Sequence, residues 1–225
     1  CSISGEVRDG IRIINEPRAR TGRGIRSPLA AAGQSSDDDG RAAARGVTDM
    51  LIARREIYAG RVVRLNVETV ELPNGHRTDL EILHHPGGAA VVALDAQGCV
   101  CLLHQFRHAA GGWVWELPAG KLEPGEPPAE TVRRELVEEG GVSAREWQDL
   151  GWYFSSPGVF TEKIHLYLAT GLEPARHAPE AGEVFEVHWI PLRAAIERVH
   201  SGEFTDGKTC LGLLKAQHRL AAAKA

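Results

Sequence analysis

Glu135, Glu138 and Glu139 lie in the run RRELVEEGG, spaced i, i+3 and i+4. On an α-helix these positions share one face, so three carboxylates come within reach of one another. Like charges at that spacing repel, and a helix gains no stability from them. The arrangement makes chemical sense around a hard divalent cation, Mg²⁺ or Mn²⁺, which takes oxygen ligands. A solvated acidic helix face is the plain alternative for any such pair, and the neighbouring residues decide between the two.

Upstream stand Gly120, then five residues, Glu126, then seven residues, Arg134 and the acidic run, closed by Gly141 and Val142. Gly120 lets the backbone turn sharply and present a carbonyl. Arg134, one residue off the acidic face, is placed to hold Glu126 across a loop–helix junction by a charge-assisted pair. The full pattern, G-x5-E-x7-R-E-U-x-E-E-x-G-U with U apolar, resembles the signature box of the Nudix hydrolases. Every specified position over residues 120–142 is matched. The resemblance implies that Glu135, Glu138 and Glu139 bind cations, with Glu138 also available as a catalytic carboxylate, and that the Ala119 carbonyl joins the ligand set. It also gives Gly120, Glu126 and Arg134 a structural part in the box. It further implies Mg²⁺-dependent hydrolysis of a nucleoside diphosphate linked to another moiety, with Mn²⁺ as a possible substitute.

The flanks resemble the ADP-ribose pyrophosphatase branch of that family. In HQFRHAAGGWVWELPAGKLEPGE, Arg107 matches an arginine that contacts substrate phosphate, and Glu116 matches a glutamate acting near substrate or metal. A surface arginine and an edge-strand glutamate are the plain alternatives. His104 departs from the usual Arg or Glu. Pro157 stands fifteen residues beyond Val142 in Ser156-Pro157-Gly158 with Glu162 after it, a branch pattern that places Pro157 near substrate. In the acidic loop HAPEAGEVFEV the resemblance assigns Glu183, or else Glu180, as the base that closes over the site. Glu186 is expected to run along the next strand. FTDGKTCLGLL resembles the start of a structural C-terminal helix. Trp113, Trp115, Trp152 and Tyr153 are candidates for stacking on adenine, or for the core or a dimer interface.

These residues need a scaffold, and the patterning predicts a mixed one. REIYAGRVVRLNVETVELPNGHRTDLEIL reads as antiparallel strands turned at Pro73-Asn74-Gly75. AAVVALD, CVCLLHQF and WVWEL read as strands, PAGKLEPGEPP as a loop, and AETVRRELVEEG as a helix stopped by Gly140-Gly141. WQDLGWYF, KIHLYLA and EVFEVHWIPL are further strands, and two helices close the chain. The expected fold class is α/β (α+β): the patterning gives a mixed domain, and the resemblance implies a Nudix-type α/β/α sandwich with a mixed sheet, preceded by a small antiparallel β subdomain. The expected divisions are residues 1–48, a disordered extension, 49–88, the small β subdomain, and 89–225, the hydrolase domain. Met50 is the only methionine and stands where ordered patterning begins, so the functional protein is expected to start near it.

Bulk properties remove several classes. The 225 residues carry a net charge of −4, with 43% hydrophobic and 25% charged side chains and no basic patch, which argues against nucleic acid. No apolar run is long enough to span a bilayer. Four cysteines, Cys1, Cys99, Cys101 and Cys210, are too irregular for a disulfide framework or a zinc site, so a reducing, cytoplasmic setting is expected. The ten histidines show no metal-ligand spacing. The expected reaction is cleavage of ADP-ribose to AMP and ribose 5-phosphate, by a homodimer that the resemblance builds through the small β subdomain. The alternatives are another nucleotide sugar, GDP-mannose or a broader ADP-sugar set, and a noncatalytic ligand sensor. The intact box carboxylates speak against the sensor.

Overall fold

The apolar strands of the sequence are sorted by packing into separate sheets. A computed structural model of the protein describes residues 7–8, 11–15, 50–178 and 182–223. Two short strands come first, β1 (Val7–Arg8) and β2 (Ile11–Asn15). A three-stranded antiparallel meander follows, β3 (Leu51–Ala59), β4 (Arg64–Glu71) and β5 (Arg77–His84), with Gly75 at φ 79° in the tight turn between the last two. Then come β6 (Gly88–Ala93), β7 (Cys99–Arg107), β8 (Gly112–Glu116), β9 (Ala119–Lys121) and helix α1 (Pro128–Gly140). The chain continues through β10 (Val142–Phe154), β11 (Lys163–Pro174), β12 (Phe185–Pro191), α2 (Leu192–Ser201) and α3 (Gly207–Ala222).

Strand β6 shows why the domain is three layers deep. It is buried along its whole length because its sequence, GAAVVA, is small and apolar on both faces. Ala89, Val91 and Ala93 share a core with Val132 and Leu136 of α1, while Ala90 and Val92 face a second core with Ile196 of α2 and Leu213 of α3. The result is the expected α/β/α sandwich. Strands β6 and β7 meet only at a Leu94–Val100 bridge. Beyond it β6 lies between β11, parallel, and β9, antiparallel, while β7 lies between β12 and β8.

Helix α1 is positioned by its ends and by one apolar stripe. Pro128 occupies its first turn, and Gly141 at φ 64° ends it in a left-handed cap. Val132 and Leu136 are fully buried. Truncating Leu136 to Ala would cost about 2–5 kcal/mol. It would also loosen the helix that carries the acidic residues.

The small meander touches the rest of the chain through the turn after β10. Leu83 of β5 bridges Phe160, its N–H donating to the Val159 carbonyl and its own carbonyl accepting from Thr161. Nearly all of β3 is exposed, including Ile52, Ile57 and Tyr58. At the other end of the chain, part of the segment expected to be disordered joins a sheet. The backbone of β2 runs parallel to β12, with Ile13 opposite Val187 and Asn15 opposite Trp189. The run IRIIN is β-branched enough to extend, and the edge of β12 offers unpaired backbone groups that such a strand satisfies. Among the described residues no helix is long and apolar enough to cross a membrane.

Candidate active site

A cavity of about 560 Å³ opens where β6, β7, β9, α1 and the start of α3 meet. One wall is acidic. Glu135 lines it from α1 and Glu139 is buried one turn further along, 8% and 1% exposed, because that face of the helix also carries Val132 and Leu136. Glu139 Oε2 accepts from the Ala119 N–H at 2.8 Å, while its buried Oε1 has no partner. Glu135 lies directly against the backbone of Gly120, where any Cβ would overlap its carboxylate. Any larger residue there would have to displace the Glu135 side chain, which gives this box position a steric cause beyond chain flexibility.

Burial sets the charge state of this wall. Desolvation pushes Glu135 up to about 7, helped by Glu138 and Glu183 and opposed by Arg134. Glu139 is pushed well above the ordinary carboxylate range by burial first, then by Glu135 and Glu183, against the Ala119 N–H and Arg107. Glu138 takes a different position from its two neighbours. It is half-buried where they are buried, and it shares Arg134 with Glu135, accepting at 3.1 Å.

Arg134 therefore does more than tie the loop to the helix. Its guanidinium donates to Glu126 at 3.3 and 3.4 Å, to Glu135 at 2.8 Å and to Glu138. Glu126 also accepts from Thr131 Oγ1 and from the Glu123 N–H, and Arg134 foremost holds it below the usual carboxylate range. The loop before α1 is thus locked to the helix by one arginine among three carboxylates.

The opposite wall is cationic. Arg107 forks onto Glu116, Nε to Oε1 at 2.8 Å and Nη2 to Oε2 at 3.0 Å, and Lys208 Nζ donates to the same Oε2 at 2.6 Å. Burial alone would raise Glu116, but its two cations bring it below the ordinary range. Glu116 thus has both oxygens paired with cations. Arg107 and Lys208 both line the cavity.

The acidic loop reaches the site from pinned ends. The Ala178 N–H donates to the Glu138 carbonyl at the end of α1, and the Phe106 N–H of β7 donates to the Val184 carbonyl. Glu183, next to the second pin, lines the cavity and lies close enough to act on Arg107, Glu135 and Glu139. Glu180 lies outside the described residues. Glu186 pairs with His188 along β12.

Two other expectations are redistributed by the fold. Pro157 is exposed and does not line the cavity, because its turn packs toward β5; Ser155 and Glu162 on either side of that turn do. Of the four aromatic candidates only Tyr153 lines the cavity, while Trp115 packs against the core and Trp113 and Trp152 are about half exposed. Lys208 is a functional candidate that the sequence places only within a structural helix start. A lysine in the first turn of a helix, where the dipole disfavours it, is the one signal that it answers a carboxylate elsewhere.

Fold and cavity together define an α/β/α domain whose central cleft sets buried carboxylates against paired cations, a site suited to a metal-assisted reaction on a polyphosphate. A family model for the NUDIX domain matches residues 84–208. An ADP-ribose pyrophosphatase of Bacillus subtilis (strain 168) is 38% identical over 172 residues, 75% of this chain and 92% of that protein. An ADP-ribose pyrophosphatase of Mycobacterium tuberculosis (strain ATCC 25618 / H37Rv) is 37% identical over 168 residues, 72% of this chain and 80% of that one. The chain belongs to the NUDIX hydrolase family. The crystal structure of an ADP compounds hydrolase shares the fold, with a TM-score of 0.68 and 20% identity, covering 77% of this chain and 94% of that one.

Proposed function

We propose that this protein hydrolyses the diphosphate bond of ADP-ribose to AMP and ribose 5-phosphate with Mg²⁺, Mn²⁺ serving as a substitute. The observation that carries the reading is that Glu135, backed by the buried Glu139, shares one cavity with Arg107, which acts electrostatically on Glu139. Similarity to two ADP-ribose pyrophosphatases supports the choice of sugar nucleotide.

The residues present suit a divalent cation. Among the described residues no three His, Cys, Asp or Glu side chains form a ready cage. Mg²⁺ does not require one, since it binds through one or two carboxylates, waters and substrate phosphates. The unpartnered Oε1 of Glu139 and the strained ionisation of Glu135 leave two oxygen donors in want of a cation. Glu135 and Glu139 would hold it, with Glu138 and the Ala119 carbonyl alongside. When bound, the cation neutralises the diphosphate and acidifies the attacking water.

The chain's own groups supply the rest. Arg107 binds a non-bridging phosphate oxygen with the edge of its guanidinium turned from Glu116. Glu183 accepts a proton from the water as its oxygen bonds to phosphorus. The bond from that phosphorus to the bridging oxygen then breaks, and the bridging oxygen leaves with the other phosphate. Glu180 is the alternative base. Glu126, Arg134 and Gly120 keep α1 and its loop in register. The exposed β3 face fits a homodimer built through the small meander, residues of both subunits approaching the adenine, in a cytoplasmic setting.

A panel of nucleotide sugars with Mg²⁺ and Mn²⁺, read as phosphate released through a coupled phosphatase, tests this. ADP-ribose should be the best substrate, and chelation of the metal should abolish turnover. A preference of about tenfold or more for GDP-mannose or another non-ribose sugar, one decade in differential transition-state binding, would overturn the substrate.

A further inference from the structure

Four cations line the cavity: Arg107, Lys121, Arg134 and Lys208. Their commitments differ. Arg134 is spread over Glu126, Glu135 and Glu138, and Lys121 is paired with Glu123. Arg107 uses Nε and Nη2 on Glu116, which leaves the Nη1 edge. Lys208 Nζ has three donors, of which Glu116 Oε2 takes one at 2.6 Å and Asp206 Oδ1 another at 3.1 Å.

The carboxylate between the two cations is the deepest part of this arrangement. The Glu116 side chain is 5% exposed, whereas Lys208 is 17% and Arg107 42% exposed. The anion is sunk behind and the cations stand in front of it, toward the cavity. Asp206 is committed elsewhere too, since its Oδ2 caps α3 through the Thr209 N–H and Oγ1. A single arginine fork already engages both oxygens of Glu116, so that carboxylate does not need Lys208 for its own pairing.

We propose that Lys208 is a ligand-binding residue of this site, forming with Arg107 a two-cation clamp, spaced by Glu116, for the non-bridging oxygens of a diphosphate ester. The inference rests on the diphosphate hydrolysis proposed above and adds a residue from the far end of the chain. Glu116 acts in it as the positioning residue, aiming both cations rather than touching substrate or metal. The clamp takes the diphosphate from the side opposite Glu135 and Glu139.

The test is calorimetric binding of methylenediphosphonate to the Mg²⁺-loaded protein. This probe has no nucleoside or sugar, so an error in the substrate leaves the test intact. Lys208→Met and Lys208→Gln should each weaken binding by about tenfold or more, the loss expected for one charge-assisted hydrogen bond, while Lys208→Arg stays within about threefold. The Gln variant can still donate to Glu116, which separates ligand binding from support of that carboxylate. Wild-type binding by Lys208→Gln would overturn the proposal. Weakening seen only in variants whose thermal unfolding midpoint has collapsed would also overturn it. If wild type binds the probe but leaves ADP-ribose uncleaved, the substrate reading falls and the clamp stands. If wild type does not bind the probe, the clamp falls, and cleavage of ADP-ribose in the panel still decides the substrate reading.

Discussion

The acidic wall spans 20 residues, from the Ala119 N–H to Glu139, whereas the cationic wall joins Glu116 to Lys208 across 92. The first is local: a strand end, a loop and one helix, locked by Arg134 onto Glu126. The second exists only once β7, β8 and α3 have packed together. The walls also differ in what they store. On the acidic side, burial holds carboxylates against ionisation, and Arg134 and the Ala119 N–H offset only part of the cost. On the cationic side, each charge is matched by Glu116 or Asp206. A helix preorganised around unfavourable charge is an open demand for a cation, while a neutralised cluster is a scaffold that aims donors.

If that contrast is right, substitutions on the two walls will fail in different ways. Glu139→Gln should lower kcat by about three orders of magnitude, the several kcal/mol a metal supplies to the transition state. The metal-free fold should stay intact, because the amide can still accept from the Ala119 N–H; near-normal turnover in steady-state assays would remove Glu139 from the metal set. Gly120→Ala should lower kcat by about a hundredfold, as expected when a reacting group is displaced by an ångström. The added methyl pushes Glu135 aside, and an unchanged kcat would show that Glu135 need not sit there.

On the other wall, Arg107→Ala should raise KM by about thirtyfold through loss of a charged hydrogen bond. Mg²⁺ affinity, measured by calorimetry, should change little; a large change would mean the walls are not separable. The last effect concerns pH. Glu135 sits at about 7 when folded, above its unfolded value, so its contribution to stability is present in acid and lost as pH rises through about 7. Between pH 5 and pH 8 the metal-free wild type should lose about 2–3 kcal/mol relative to Glu135→Gln, since each tenfold change in proton affinity is worth about 1.4 kcal/mol. Parallel Tm curves for the two proteins would contradict the buried, unneutralised acidic wall, and Mg²⁺ should restore wild-type stability at pH 8.

Legibility followed the same division. The period of Val132 and Leu136 and the i, i+3, i+4 spacing of the glutamates are helical facts, readable without any partner element. Even there the sequence treats Glu135, Glu138 and Glu139 alike, and only packing separates them, burying Glu135 and Glu139 and leaving Glu138 half-buried. Pro157 belongs to the site by its register alone, but its turn is drawn toward β5. Residues 11–15 sit in a polar, arginine-rich stretch, and the open edge of β12 decides their extended pairing.

By itself, then, the sequence determined the acidic helix, its locking arginine and the mixed succession of strands and helices, because each follows from spacing along the chain or from apolar periodicity. Only the tertiary structure decided that Lys208 stands beside Arg107 on Glu116, and that Glu183 comes near the carboxylates of α1. Those relations join residues scores of positions apart. Their cause is the closure of separate elements around one cavity, which no local spacing encodes.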